Sequence, residues 1–483
     1  MTAAGDDAIT DLDASALSQA IHGKRFSCRE VMQAYLARID RLNPKANAIV
    51  SLADGGRLLA EAERCDGELA RGRSRGWLHG VPVAIKDAAM AAGFPTTAGS
   101  RLLRHAVATD DGLMTARLKA AGAVVIGKTN MPELGLGSHT FNELFGATPN
   151  PWDAAVSVGG SSGGAAAALA LRLLPVADGS DFMGSLRNPA AWTNVFGLRP
   201  SIGRVPAWPA ADTWVSPIGT EGPMARSVRD LTRLLSTMSG FDARVPLSNP
   251  AGPTAPEIAP ASLRGLRIGW LGDLRGRLAM EAGLIETCQG ALTRLAAAGA
   301  KVEPISLGFD PERLWQAWLI WRRALVAPRV ALLLAGHPDA REYVKAEALW
   351  EHDQAQGLPF AEFMKASEVR SAFRAHVAGL FSHGDLLALP VTQVWPFPLG
   401  ERWPESIAGR AMDTYHRWME VTLYASFAGL PAISVPAGFH ANGRWPCGLQ
   451  LIGPPNSDET LLAAAAAYEA LVPELLARRP AAG

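Results

Sequence analysis

Short apolar runs alternate with helical segments through most of the chain, and this alternation is the feature that most restricts its fold. The runs have the length of buried strands and lie at residues 81–85, 123–126, 175–178, 266–271, 301–307, 385–389, 432–435 and 449–452. Strands that alternate with helices build sheets that are covered on both faces. We therefore predict an α/β fold: a single large α/β/α domain with a central mixed, twisted β-sheet covered by helices on both faces.

The chain is long for one hydrophobic core, yet it has the composition of one globular body. Of its 483 residues 48% are hydrophobic and only 19% are charged, which excludes extensive disorder. Because the alternation continues on both sides of a proline-rich stretch, we predict one domain over residues 1–483. Its parts are N-terminal helices (1–75), a catalytic core (76–240), a proline-rich loop (241–265) and a C-terminal part that completes the sheet (266–483).

Charge and cysteine usage argue against several classes of partner. Lysine plus arginine and aspartate plus glutamate both number 46, so the net charge is zero, which does not favour nucleic acid or an anionic membrane as a partner. The four cysteines are far apart and form no CxxC pair, which indicates free thiols and no zinc site. With no signal-peptide pattern and no long apolar run, we expect a cytoplasmic protein.

Two familiar motifs match the sequence but lack their usual surroundings. Residues 122–129 fit the phosphate-binding loop, but their four variable positions are apolar and look like a strand. Residues 160–164 fit the nucleophile elbow, with Ser162 as nucleophile of a Ser-His-Asp hydrolase. An elbow needs a strand that runs directly into Gly160, whereas residues 150–153 (NPWD) are typical of a turn. The elbow stays open as a hypothesis.

Three other segments together form a stronger pattern. Lys86 ends the apolar run at residues 80–87 (GVPVAIKD), a glycine–serine loop follows at 159–164 (GGSSGG), and a second glycine–serine site lies at 184–190 (GSLRNPA). In composition, order and spacing these segments resemble the amidase signature family. The resemblance also includes residues 127–131, 150–153, 197–200, 222–224, 428–436 and 448–453. It therefore covers nearly the whole chain except a loosely matching stretch at roughly 308–410.

The resemblance implies an amidase, a hydrolase of non-peptide carbon–nitrogen bonds that works through a serine acyl-enzyme. Ser185 would be the nucleophile, Lys86 the base, and Ser161 the relay between them, held after a cis Gly160–Ser161 bond. The chemistry agrees, because a serine hydroxyl needs a base, and a lysine acts as one only when its pKa is lowered by burial or by positive neighbours. The expected reactants are a small amide and water, with no metal or cofactor and no nucleic acid or membrane partner.

The resemblance also assigns the groups around the nucleophile. Four successive backbone N–H groups would form the oxyanion hole, those of Phe182, Met183, Gly184 and Ser185. Ser162, Asp181 and Arg187 would support the site. Phe182 and Met183 stand where the family commonly has threonine and glycine, so we expect their bulky side chains to shape the pocket.

Residues 308–410 are where we expect the substrate pocket. Trp318 and Trp321 lie three residues apart, which fits a hydrophobic pocket and a core face equally well, and Trp395 and Phe397 lie in a loop after a predicted strand. We expect the substrate to be an apolar or aryl amide or anilide, with hydrolysis of esters or carbamates as side activities. A homodimer is one assembly that we consider. Two further hypotheses are the glutaminase (A-type) subunit of a tRNA-dependent amidotransferase and a catalytically inactive binding protein.

Overall fold

A computed structural model describes residues 3–215 and 218–481 of the chain. The helices are α1 (Ala3–Thr10), α2 (Ala14–His22), α3 (Cys28–Ala46), α4 (Gly55–Ala70), α5 (Leu113–Ala120), α6 (Gly163–Ala170), α7 (Arg187–Thr193), α8 (Val228–Met238), α9 (Leu284–Ala297), α10 (Pro311–Ala335), α11 (Ala346–Gln354), α12 (Phe360–Leu380), α13 (Leu423–Ala428), α14 (Asp458–Glu469) and α15 (Pro473–Leu476). The strands are β1 (Ile49–Val50), β2 (Pro82–Lys86), β3 (Val124–Thr129), β4 (Phe141–Asn142), β5 (Gly146–Ala147), β6 (Pro149–Asn150), β7 (Asp153–Ser157), β8 (Val176–Asp181), β9 (Phe196–Arg199), β10 (Thr220–Ala225), β11 (Arg267–Trp270), β12 (Lys301–Pro304), β13 (Leu386–Pro390), β14 (Ser406–Ile407), β15 (Arg410–Ala411), β16 (Ala432–Phe439) and β17 (Pro446–Ile452).

The main sheet is mixed and has eight strands in the order β12-β11-β13-β17-β16-β9-β10-β8. The three strands at the β12 edge are parallel, and every pairing from β13 to β8 is antiparallel. In β13 and β17 every residue is buried, as expected for strands with both faces covered. The predicted fold class, an α/β protein with a central mixed sheet between helices, is confirmed.

A small sheet, β1-β3-β2, lies beside the β8 edge of the main sheet. The two sheets meet through a side chain: the backbone N–H of Lys86 on β2 donates to both carboxylate oxygens of Asp178 on β8, at 3.2 Å each. This junction brings the end of the predicted Lys86 strand against the strand that leads to Ser185. The fold thus joins two distant parts of the sequence at one seam.

The proline-rich stretch at 241–265 contains neither helix nor strand. Strands from both sides of it pair in the main sheet, since β9 lies next to β16. Strand β7 was not predicted, because its sequence, DAAVS, is short and only its last two residues are buried.

Among the described residues, no helix is long and apolar enough to cross a membrane. The four cysteines are free and buried.

Candidate active site

Lys86 is the last residue of β2, and its side chain enters the seam between the sheets. The side chain is buried, and its Nζ contacts three hydroxyl oxygens: Ser161 Oγ at 2.7 Å, Ser162 Oγ at 2.9 Å and Ser180 Oγ at 3.0 Å. A lysine with no carboxylate among its hydrogen-bond partners lacks a directly contacting anion that would stabilise its protonated form. This is the setting in which a lysine becomes a base near neutral pH.

The charge state of Lys86 follows from its burial. Burial lowers its pKa to about 7, although Asp178, Asp181 and Glu221 oppose that shift. Burial also raises the pKa of Asp178 to about 6. The carboxylates of Asp178 and Asp181 accept hydrogen bonds from backbone or arginine groups and leave Nζ to the serines. A lysine with its pKa lowered in this way carries a neutral fraction at neutral pH.

The glycine–serine loop places two serines on Lys86. The peptide bond between Gly160 and Ser161 is cis, as the family resemblance implied. Helix α6 begins directly after the serines, and its first turn packs closely: a Cβ on Gly164 would lie 2.4 Å from the backbone nitrogen of Asn130. Only glycine allows this approach, so the loop sequence and the position of Ser161 are linked.

Ser185 lies in the turn between β8 and α7. Its carbonyl accepts a hydrogen bond from the backbone N–H of Ser162 at 3.1 Å, which ties the turn to the glycine–serine loop. Ser185, Ser161 and Lys86 line one cavity. The structure therefore brings the three predicted catalytic residues together, from parts of the chain that are far apart in sequence.

One of the four N–H groups predicted for an oxyanion hole is occupied. The N–H of Gly184 donates to Asp181 Oδ1 at 2.8 Å, so it is not available to a substrate, and its inclusion was wrong. Among the described residues, the N–H groups of Phe182, Met183 and Ser185 have no hydrogen-bond partner and remain candidates. Gly184 serves the turn instead: its φ is +91°, and a Cβ there would lie 2.7 Å from Thr422 Oγ1.

A buried ion pair holds this turn in place. Arg187 donates to both carboxylate oxygens of Asp181, at 3.0 Å each, and to Ser426 Oγ at 2.7 Å. Although burial alone would raise the pKa of Asp181, Arg187 and Arg199 hold it well below its usual range. Asp181 and Arg187 thus brace the turn that carries Ser185 against α13.

The cavity at these residues has a volume of about 340 Å³. Its apolar wall near Ser185 includes side chains from the turn that carries that residue, from α10 and from the segment before α13: Phe182, Met183, Leu325, Val326 and Met419. Polar side chains also line it, among them Glu221 and Arg322. A mostly apolar cavity with a few placed polar groups is typical of a small-molecule site.

The four predicted pocket aromatics do not line this cavity. Trp318 and Trp321 are buried in the core, where Trp318 packs on Phe182 with ring centroids 5.1 Å apart. Trp395 and Phe397 line a separate groove of about 670 Å³. The three-residue spacing of Trp318 and Trp321 places both indoles on the core face of α10, and α10 packs against α12. The prediction that these aromatic residues line the substrate pocket is therefore wrong.

Sequence reasoning missed many side chains in the cavity, among them those of Arg322, Glu221 and Met419. Arg322 follows Trp321 directly and is held by Glu351 and the hydroxyl of Tyr415. Glu221 precedes the Gly222 motif on β10, and Met419 lies in the stretch before α13. No pattern in the sequence marked Arg322 or Met419, because α10 carries several other charged residues, among them the adjacent Arg323.

The two familiar motifs have different surroundings from those they require. Residues 151–152 form the expected turn, and strand β7 follows it but ends at Ser157, so no strand runs directly into Gly160. Ser162 is also fully buried, and no histidine of the described chain bonds to it; His139 bonds to Ser157 instead, at 2.7 Å. In the other motif, Lys128 lies within β3 and donates to the carbonyl of Ala89, so residues 124–129 are a strand.

The fold and the site define an α/β hydrolytic enzyme in which serines surround a buried lysine. The amidase family model matches residues 30–462, and the chain belongs to this family, the amidase signature family. Its class is therefore that of hydrolases that act on carbon–nitrogen bonds of non-peptide amides.

Curated relatives and solved structures both align over nearly the whole chain. The A-type subunit of the glutamyl-tRNA(Gln) amidotransferase of Thermus thermophilus is 38% identical over 462 residues, covering 91% of this chain and 93% of the relative. The protein of the same name from Anaeromyxobacter dehalogenans is 33% identical, covering 93% and 94%. A bacterial aryl acylamidase structure has a TM-score of 0.90 at 29% identity, covering 97% and 99%. The peptide amidase of Stenotrophomonas maltophilia has a TM-score of 0.79 at 30% identity, covering 97% and 98%.

Proposed function

We propose that the protein hydrolyses a carboxylic amide through an acyl-enzyme on Ser185. Neutral Lys86 accepts a proton from Ser161 Oγ, which accepts the proton of Ser185 Oγ as that oxygen attacks the amide carbonyl carbon. The supporting observation is the 2.7 Å contact between Lys86 Nζ and Ser161 Oγ inside a cavity that also contains Ser185. The new bond is C–O, and the carbonyl π electrons move to the oxygen.

The unpaired N–H groups of Phe182, Met183 and Ser185 are suited to stabilise that oxyanion, at about 3 kcal/mol per donor. When the tetrahedral intermediate collapses, the C–N bond breaks and the leaving nitrogen takes the proton held by Lys86 through Ser161. Water then attacks the ester carbonyl while Ser161 and Lys86 take up its proton; the C–O bond to Ser185 breaks, Ser185 Oγ receives that proton, and the acid is released. Each proton taken up by Lys86 is thus returned within the cycle.

We infer an apolar or aryl amide or anilide as the substrate. The apolar wall beside Ser185, formed by Phe182, Met183 and Met419 with Leu325 and Val326 of α10, supports this choice. The same attack operates on esters and carbamates, so we expect these as side activities. We expect the enzyme to act in the cytoplasm, and a homodimer stays a prediction.

A second candidate is the glutaminase subunit of a tRNA-dependent amidotransferase. The 38% identity with the Thermus thermophilus protein of that kind, over 91% of this chain, favours it more directly than it favours a free-standing amidase. The cavity favours the first candidate because its lining is mostly apolar, and because Arg322 is already bonded to Glu351 and Tyr415 and so does not offer a free cation to the carboxylate of glutamine. The large side chains of Phe182 and Met419 also narrow the space for a polar substrate.

Hydrolysis of a substrate panel by the purified chain separates these candidates. The panel contains aliphatic amides, anilides, carbamates, esters and glutamine, with Ser185→Ala as the control for contaminating activity. We expect turnover of anilides or apolar amides by the chain alone, lost in Ser185→Ala. Turnover of glutamine alone, or recovery of the chain in a stable complex with other amidotransferase subunits, would replace the first candidate with the second.

A further inference from the structure

Glu221 lies in the wall of the cavity beside the proposed base. On β10 it is directly opposite Ser180 of β8 in an antiparallel pair, so the two side chains are on the same face of the sheet. Ser180 Oγ lies 3.0 Å from Lys86 Nζ, and Glu221 lines the same cavity as Lys86 and Ser185. The carboxyl group of Glu221 is therefore close to the reaction site without being part of the serine relay.

This carboxyl group has no partner within the described part of the protein. Among those residues none donates a hydrogen bond to it or forms an ion pair with it; only the backbone carbonyl of Glu221 accepts a bond, from Thr220 Oγ1 at 3.0 Å. Burial, with Asp178, raises the pKa of Glu221 to about 7, while Lys86 and Arg117 act in the opposite direction. A half-buried acid without a donor is unfavourable unless a ligand supplies one.

Lys86 does not fill that role. The Nζ of Lys86 makes its three contacts with the hydroxyls of Ser161, Ser162 and Ser180 and none with the carboxyl of Glu221. The carboxyl of Glu221 thus faces the cavity without a bond from Lys86. A second acid, Asp212, lines the same cavity, where its carboxylate accepts backbone N–H groups.

We propose that Glu221 is a substrate-binding residue that receives an ammonium group, so the preferred substrates are amides that carry a protonated aliphatic amine. This inference rests on the proposed function, because it assumes that the cavity at Ser185 holds the amide. It adds a polar anchor to the apolar wall: the methylene chain contacts the apolar side chains while the ammonium reaches Glu221. The contact is a charge-assisted hydrogen bond, stronger than one between neutral groups.

Calorimetric binding to the Ser185→Ala variant tests the inference without any need for turnover. The ligands are ω-amino amides with two to six methylene groups and the ω-hydroxy amides of the same lengths, which match them in size but are neutral. The measurement is made at pH 8, where the amine is protonated and Glu221 is mostly ionised. The same titrations are repeated with Ser185→Ala/Glu221→Gln, and with Ser185→Ala/Asp212→Asn as the matched acidic control.

We expect at least one amino amide to bind about tenfold or more tightly than its hydroxy counterpart, the effect of a hydrogen bond between charged groups. In the Glu221→Gln background this preference should fall to about twofold or less, and with Asp212→Asn it should persist. Equal affinities, no binding of either series, or a preference that survives Glu221→Gln would overturn the inference. Should Glu221→Gln not fold, Glu221→Thr provides the same comparison.

These outcomes are separate from the test of the proposed function. If anilides are hydrolysed but amino and hydroxy amides bind equally, the inference about Glu221 fails and the proposed function stands. If the wild-type chain hydrolyses no amide yet Ser185→Ala prefers the amino ligands, the ammonium site stands and the acyl-enzyme proposal fails.

Discussion

The pH dependence of kcat/KM reports on the proposed base directly. Only neutral Lys86 accepts a proton, so the rate must rise with pH through the lysine pKa, which burial lowers to about 7. For one group with that pKa, the neutral fraction is about 9% at pH 6, about 50% at pH 7 and about 91% at pH 8. With the ordinary lysine pKa, only about 0.03% would be neutral at pH 7. Burial thus increases the active fraction by roughly a thousandfold.

The assay measures kcat/KM for an anilide with no ionisable group between pH 5 and 9, so that the profile belongs to the free enzyme. We expect about a tenfold rise from pH 6 to pH 8 and then a plateau. The negative charge of Glu221 raises the pKa of Lys86, so Glu221→Gln should move the midpoint to lower pH. Lys86→Met should abolish the pH-dependent activity while the protein remains folded by circular dichroism.

Two results would refute this reasoning. A rate that still rises tenfold per pH unit above pH 8 would mean that Lys86 keeps its ordinary pKa and that burial does not lower this pKa. A midpoint near 7 that persists in Lys86→Met would mean that another group is the base.

Two further substitutions test the geometry of the site with matched controls. Ser161→Ala should lower kcat by at least about a hundredfold, because it removes the relay, whereas Ser162→Ala should cost less than about tenfold; reversed effects, measured with one anilide, would contradict the assigned roles. Gly184→Ala, with φ of +91° and a Cβ 2.7 Å from Thr422 Oγ1, should reduce the free energy of unfolding by about 2 kcal/mol or more. Gly290→Ala, at an exposed position of α9, meets no atom within 4 Å and should be neutral or stabilising by urea denaturation; equal effects of the two glycine changes would refute the steric argument.

The fold class is predicted from local patterning, whereas the roles of Lys86, Ser161 and Ser185 are predicted from the family resemblance. Helix and strand periods depend on neighbouring residues, so the alternation predicts the mixed sheet that the structure contains. Lys86 at the end of an apolar run is a local signal for a buried lysine at a strand end. The cis bond before Ser161, by contrast, followed from the family resemblance and from no local pattern.

The details that sequence could not supply depend on how the chain folds back on itself, within one turn or between distant segments. The N–H of Gly184 is occupied because Asp181 turns back onto it, and Asp181 is in turn held by Arg187. The spacing of Trp318 and Trp321 gives the face of α10 they share but not which neighbour covers that face. Glu221 reaches the cavity only because β10 pairs with β8, a register that no short motif encodes.

Covalent labelling with a fluorophosphonate or sulfonyl fluoride probe tests the central claim, that Ser185 is the nucleophile served by buried Lys86. Peptide mass spectrometry after labelling identifies the modified residue, and the Lys86→Met variant provides the matched control. We predict modification of Ser185, with labelling in Lys86→Met slowed by at least about a hundredfold. Modification of Ser162 in place of Ser185, or labelling of Ser185 at the same rate without Lys86, would contradict the account.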